Sequence, residues 1–155
     1  MRDPKLEQEL TLLQSLMGEA KAFRDIIQAT LSTEVVVPEN EGRLEVLREG
    51  LPALSQRFCE AVGLANDHTV EELFESVKDL PSLVRFTELK KNKLYDRWHR
   101  YYMGLYAVQG RLKQRKERLD EFSSATKALK RFVLNPFVLL IIAGVLVLLV
   151  LVLKK

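Results

Sequence analysis

All four tyrosines and the single tryptophan of this 155-residue chain fall within twelve positions, Tyr95 to Tyr106. Cations interleave with them: Lys90, Lys91, Lys93, Arg97 and Arg100, with Arg85 just upstream. On a helix, Leu94, Trp98, Tyr101 and Leu105 fall on one line, and Tyr95, Tyr102 and Tyr106 on the line beside it. Three uses fit this pattern. It can be one wall of a helical core, with the tyrosine hydroxyls reaching the edge. It can be a protein-docking site, because Trp, Tyr and Arg dominate binding hot spots; the candidates are then Tyr95, Arg97, Trp98, Arg100, Tyr102 and Tyr106. It can also stack the bases of a single-stranded nucleic acid between cations. Attachment to a membrane, argued below, disfavours the nucleic acid.

The second concentration of chemistry is the basic run Arg111 to Arg118, RLKQRKER, followed by Lys127, Lys130 and Arg131. It suits a solvated helix face, or a face paired with the acidic first half of the chain. It also suits anionic lipid, since each basic side chain at a bilayer surface contributes about 1 kcal/mol of attraction. Lys127, Lys130 and Arg131, with Lys154 and Lys155 beyond the apolar stretch, are the headgroup candidates. Arg111 lies roughly 40 Å of helix before that stretch, too far to join them unless the helix lies down.

Little else could do chemistry. Cys59, His68 and His99 are the only sulfhydryl and imidazoles, and none stands three or four residues from another, the spacing a helical metal site needs. No phosphate loop, dinucleotide fingerprint, zinc-protease motif or nucleophile elbow is present. Glu71, Glu72 and Glu75 suit the acidic first turns of a helix. No catalytic residue, metal ligand or cofactor is therefore expected, nor an enzymatic activity. A single cysteine excludes a disulfide framework.

Charge is distributed unevenly. The net charge is +3, but residues 1–80 carry 8 basic against 16 acidic side chains, and residues 81–155 carry 16 against 5. Residues 137–153, FVLLIIAGVLVLLVLVL, contain no polar side chain. Seventeen residues make about 26 Å of helix, the short end of what crosses a bilayer. Asn135 and Pro136 supply a cap and a first-turn proline. Lys116, Arg118, Lys127, Lys130 and Arg131 precede the stretch and two lysines follow it, which places the large N-terminal part in the cytoplasm. The first residues show no apolar signal-peptide core, and Arg2 excludes myristoylation. The expected arrangement is a tail anchor with a single pass; the target membrane is open.

The remaining elements read as helices. Apolar residues at Leu6, Leu10, Leu13, Met17, Ala20, Ile27 and Leu31 predict a helix over 4–31, opened by Asp3-Pro4 and interrupted only by Arg24. Leu12, Leu16, Phe23 and Ile26 widen its apolar stripe. Residues 32–42 break the pattern as a loop or short extended piece around Val35–Val37. Residues 43–63 are helical again, with Gly50 and Pro52 predicting a kink or two shorter helices and Gly63 a C-cap. Thr69 to Glu72 has capping-box spacing and starts a further helix. A 4-3 series from Leu94 through Trp98, Tyr101, Leu105, Val108, Leu112, Leu119, Phe122, Leu129 and Val133 predicts one helix of roughly 50 residues. Only Arg115 and Thr126 interrupt it. Gly104 and Gly110 are weak points, either bends or places where a neighbour packs closely.

A helical bundle, a heptad helix with one polar layer and a C-terminal anchor resemble the plan of the SNARE fusion proteins in architecture alone. Only five heptad positions follow Arg115 before the apolar stretch, and the aromatic density at Tyr95–Tyr106 is foreign to that coil. The NWGR signature of the tail-anchored Bcl regulators is absent. The fold expected is all-α, a three- to four-helix bundle with a long helix leading into one C-terminal transmembrane helix. The divisions are a cytosolic helical domain over 1–131, a junction over 132–136, the span over 137–153 and a basic tail over 154–155. The function expected is a non-enzymatic adaptor or scaffold that recruits a protein partner, as yet unknown, to a lipid bilayer. The alternatives are a self-associating coiled-coil membrane tether, which is a homo-oligomer, and an anionic-lipid-binding protein that shapes membranes.

Overall fold

The computed structural model describes residues 3–65, 68–133 and 153, with the backbone alone for 127–133. Every element among them is helical: α1 (Pro4–Thr33), α2 (Pro38–Val62), α3 (Thr69–Ser76), α4 (Leu80–Val84) and α5 (Glu88–Val133). The chain divides into two compact units, Arg2–Lys113 and a second that begins at Gln114.

α1 begins where the Asp3 carboxylate accepts from the backbone N–H groups of Lys5 and Leu6, at 3.1 and 3.3 Å. It ends at Glu34, whose backbone is left-handed and whose N–H closes on the Thr30 carbonyl. Three valines before Pro38 stop it there, with Val37 held extended by the proline that follows. The predicted loop over 32–42 is thus only Glu34–Val37. Pro38 is a preferred first helical residue, so α2 starts five residues earlier than the apolar pattern alone predicts.

α2 runs unbroken past Pro52 rather than dividing in two. Pro52 lacks the N–H that would bond the Arg48 carbonyl, so this helix tolerates one missing rung. At its far end Gly63 adopts φ +72°. Its N–H bonds Glu60 and that of Leu64 bonds Cys59, the paired closure of a Schellman motif. Left-handed backbone is what glycine permits at that position.

The capping box expected at Thr69 does not form. Thr69 is already helical, and His68 precedes it in a left-handed conformation with no side-chain cap. α3 stops at Val77, and Asp79 then caps α4 by accepting from the Ser82 N–H at 2.6 Å. Pro81 sits in the first turn of α4. This short helix and the turn after it take the described elements beyond the three or four helices expected.

The core of Arg2–Lys113 is one apolar cluster. α1 contributes Leu6, Leu13, Leu16, Met17, Ala20, Phe23, Ile26 and Ile27, and so buries both lines of its wide stripe. α2 adds Leu44, Leu47, Leu51 and Phe58; α3 and its exit add Val70, Leu73, Phe74 and Val77; α4 adds Leu80 and Leu83. Phe23 and Phe74 meet edge to face at 5.0 Å. Arg48 ties α2 to the bend after α3 by donating to the carbonyls of Val77 (2.9 Å) and Lys78. α5 closes the cluster with Leu94, Trp98, Tyr101, Leu105 and Leu112, the predicted 4-3 line.

Added side-chain atoms at Gly104 and Gly110 would meet nothing within 4 Å. The expectation that they admit a close neighbour is therefore overturned; both positions are open. Among the described residues, no helix is long and apolar enough to cross a membrane. The expected span at 137–153 lies outside the described residues apart from Leu153.

Candidate functional site

The aromatic segment is both core and surface, and the change occurs along one row of α5. Trp98 is buried, with its indole N–H on the Ala20 carbonyl at 2.9 Å. Ala20 is what lets an indole come that close to α1, because a methyl group leaves the backbone accessible. The Tyr102 ring stacks on Trp98, with centroids 4.7 Å apart and planes 19° from parallel. Tyr106 then meets Tyr102 edge to face at 5.1 Å. Four-residue spacing places these three rings one above the next. Exposure grows along the row: Trp98 is buried, Tyr102 half-buried, and Tyr106 48% exposed.

Arg24, the interruption in the α1 series, lies with its guanidinium carbon 5.2 Å from the Trp98 ring centre. A cation over an indole is attracted by the ring's electron density. Arg24 interrupts the apolar series of α1, and the contact it makes there is aromatic. Burial, and then the hydrogen bond with Tyr106, hold the Tyr102 phenol above its usual pKa.

The six predicted docking residues do not form one cluster. Trp98, Tyr102 and Tyr106 form the ladder. Arg97 is half-buried and turned to α3, where it donates to the Ser76 hydroxyl at 2.7 Å. Arg100 is exposed and bonds the Asp96 carbonyl of its own helix. Tyr95 is half-buried and makes no ring contact with the ladder among the described residues. Met103, which sequence reasoning passed over, is 52% exposed one helical turn before Tyr106. Its signal was its position just off both aromatic lines.

The 4-3 series does not end with the core. In the second unit Leu119 is 37% exposed and Phe122 77% exposed. Lys116 and Arg118 beside them are exposed as well. Of the predicted headgroup residues, Lys127, Lys130 and Arg131 stand on the backbone of α5; their side chains, and all of Lys154 and Lys155, lie outside the described residues.

No family model matches this chain, and neither a curated protein nor a solved structure matches it.

Proposed function

We infer that this chain is a non-enzymatic adaptor, held at a membrane by residues 137–153 and docking a protein partner on the outer end of its aromatic ladder. The observation that carries the reading is the ladder's exposure gradient. Trp98 is fixed from within by Ala20, Tyr102 is stacked on it, and Tyr106 with Met103 is presented outward. A preorganised aromatic loses little conformational freedom on binding, which is the usual economy of a hot spot. Base stacking fits less well: Trp98 is buried and Tyr102 is occupied by its neighbours, so the ladder offers one largely open ring.

The anchor rests on sequence. An uninterrupted apolar stretch flanked by lysines and arginines has the composition of a single-pass segment, and the bias of those charges favours a cytoplasmic N-terminal part.

A second reading, the self-associating tether, is favoured by Leu119 and Phe122, which continue the buried line of α5 into exposed positions. Against it, two copies paired in register along that seam would set Arg115 against its own counterpart and Lys116 against Arg111 of the other copy. Like charges at a coiled-coil seam weaken pairing.

A photo-crosslinking residue at Tyr106 in the full chain, in its native membrane, tests both. An adduct with another protein at position 106, and none at the exposed control Val46, is the expected result. An adduct of twice the chain's own mass moves the tether reading to first place. Equal labelling at both positions overturns the docking site.

A further inference from the structure

A second concave site lies where α3, α4 and α5 meet, away from the ladder. It is a cleft of about 460 Å³. Its charged lining is Lys78, Lys90, Lys93 and Arg97 against one carboxylate, Glu75. None of these four cations forms an ion pair with a carboxylate among the described residues. Such a concentration stands out in a unit whose first 80 residues are strongly acidic.

Arg97 is held in place. Its Nη1 donates to the Ser76 hydroxyl, and that hydroxyl donates onward to the Glu72 carbonyl at 2.8 Å. The chain of bonds fixes the guanidinium in the wall and uses one of its five donors. Lys90 carries its ammonium 5.7 Å from the ring centre of half-buried Phe86. Phe86 and Leu94 are the apolar part of the lining. A fixed guanidinium, three ammonium groups and an apolar surface in a volume of this size together describe a small-molecule site.

We propose that this cleft binds a phosphomonoester carried on an apolar body, with Arg97 and the three lysines on the phosphate and the apolar body against Phe86 and Leu94. A carboxylate would be served by Arg97 alone, whereas a dianion uses several cations at once. A nucleic-acid backbone calls for a groove that tracks successive phosphates, not cations gathered round one cleft. The ester can be a soluble metabolite or the headgroup of an anionic lipid; the phosphate chemistry is common to both. The site does not depend on the docking function of the ladder.

The test is calorimetric titration of the full chain, in non-ionic detergent micelles, with phenyl phosphate. Saturable one-site binding is expected, at least tenfold tighter than for inorganic phosphate. Lys93→Glu and Arg97→Gln should each weaken it at least tenfold, while Lys113→Glu, on the same helix outside the cleft, should leave it unchanged. Competition by micellar phosphatidic acid identifies the lipid source, and phenyl phosphate binding without that competition identifies a soluble one. Absence of saturable binding, or equal loss in Lys93→Glu and Lys113→Glu, overturns the site.

Discussion

The indole Nε1 of Trp98 donates to the carbonyl oxygen of Ala20, 78 residues earlier in the chain. The bond joins the aromatic row of α5 to the middle of α1, and the exposed end of the ladder depends on it. Trp98→Phe keeps a ring there but removes the donor. The Ala20 oxygen still accepts the helical N–H of Arg24, so no buried carbonyl is orphaned. The expected loss is about 1–2 kcal/mol, from one hydrogen bond and a small void. Urea unfolding followed by circular dichroism measures it. A loss near zero would mean that the bond does not hold the ladder.

Glycines separate by backbone rather than by space. Gly104 and Gly110 are helical, and a methyl group added at either meets nothing within 4 Å. Alanine at each should raise stability by about 0.5–1 kcal/mol, because glycine loses more backbone freedom on folding. Gly63 is equally uncrowded but sits at φ +72°. Gly63→Ala should therefore cost about 1–2 kcal/mol, the strain of a left-handed alanine. Thermal melts of the three variants should show two increases and one decrease. Destabilisation by Gly104→Ala would reveal a neighbour packed on that face.

These contrasts mark what could be read from sequence. The apolar period located α1 and the buried line of α5 because burial imposes period directly. Ends were less legible. α2 begins at Pro38 and passes through Pro52 because tertiary packing of Leu44, Leu51 and Phe58 outweighs one missing backbone bond. Thr69 had the spacing of a capping box, yet the chain turns at His68 instead. The aromatic row was legible as a concentration of residue types, but not as an ordered gradient. That order follows from the Ala20 contact, which no local pattern encodes. The cationic cleft was legible by half: Lys90, Lys93 and Arg97 stood out among the tyrosines, while Ser76 reaches it from the end of α3 and Lys78 from the bend that follows.

Tyr102 gives a pH signature. Burial first, and the Tyr106 hydroxyl second, disfavour its phenolate in the folded protein and raise its pKa above 10.0. In the unfolded chain the same phenol ionises near its ordinary value. Around and above pH 10 the folded state therefore retains a proton that the unfolded state has lost. This contribution to stability is neutral below that range and turns unfavourable as pH rises through it. In an ultraviolet phenolate titration the Tyr102 phenol should ionise late. Tyr106→Phe should bring that transition down without restoring the ordinary value, since desolvation remains. A late transition unchanged by Tyr106→Phe would remove the hydroxyl from the account.

The proposed membrane anchor makes the sharpest demand on residues 137–153. An apolar stretch of this length can serve as a bilayer span or as a buried face in an assembly, and introduced charge distinguishes the two by where the protein goes. At the centre of a spanning helix each lysine costs about 2.5–3.5 kcal/mol, so Val145→Lys with Leu149→Lys should abolish a marginal 17-residue span. The unmodified chain should resist alkaline carbonate extraction, and the double variant should be released into the supernatant. Removal of residues 137–155 should release it equally, with the helical circular dichroism of the remainder preserved. Protease added outside sealed vesicles whose cytoplasmic face is outermost should digest α1–α5, the outcome expected of the proposed orientation. Extraction of the unmodified chain by carbonate would leave the apolar stretch to pair with protein rather than lipid, and the exposed Phe122 seam would then be the first place to look for the partner surface.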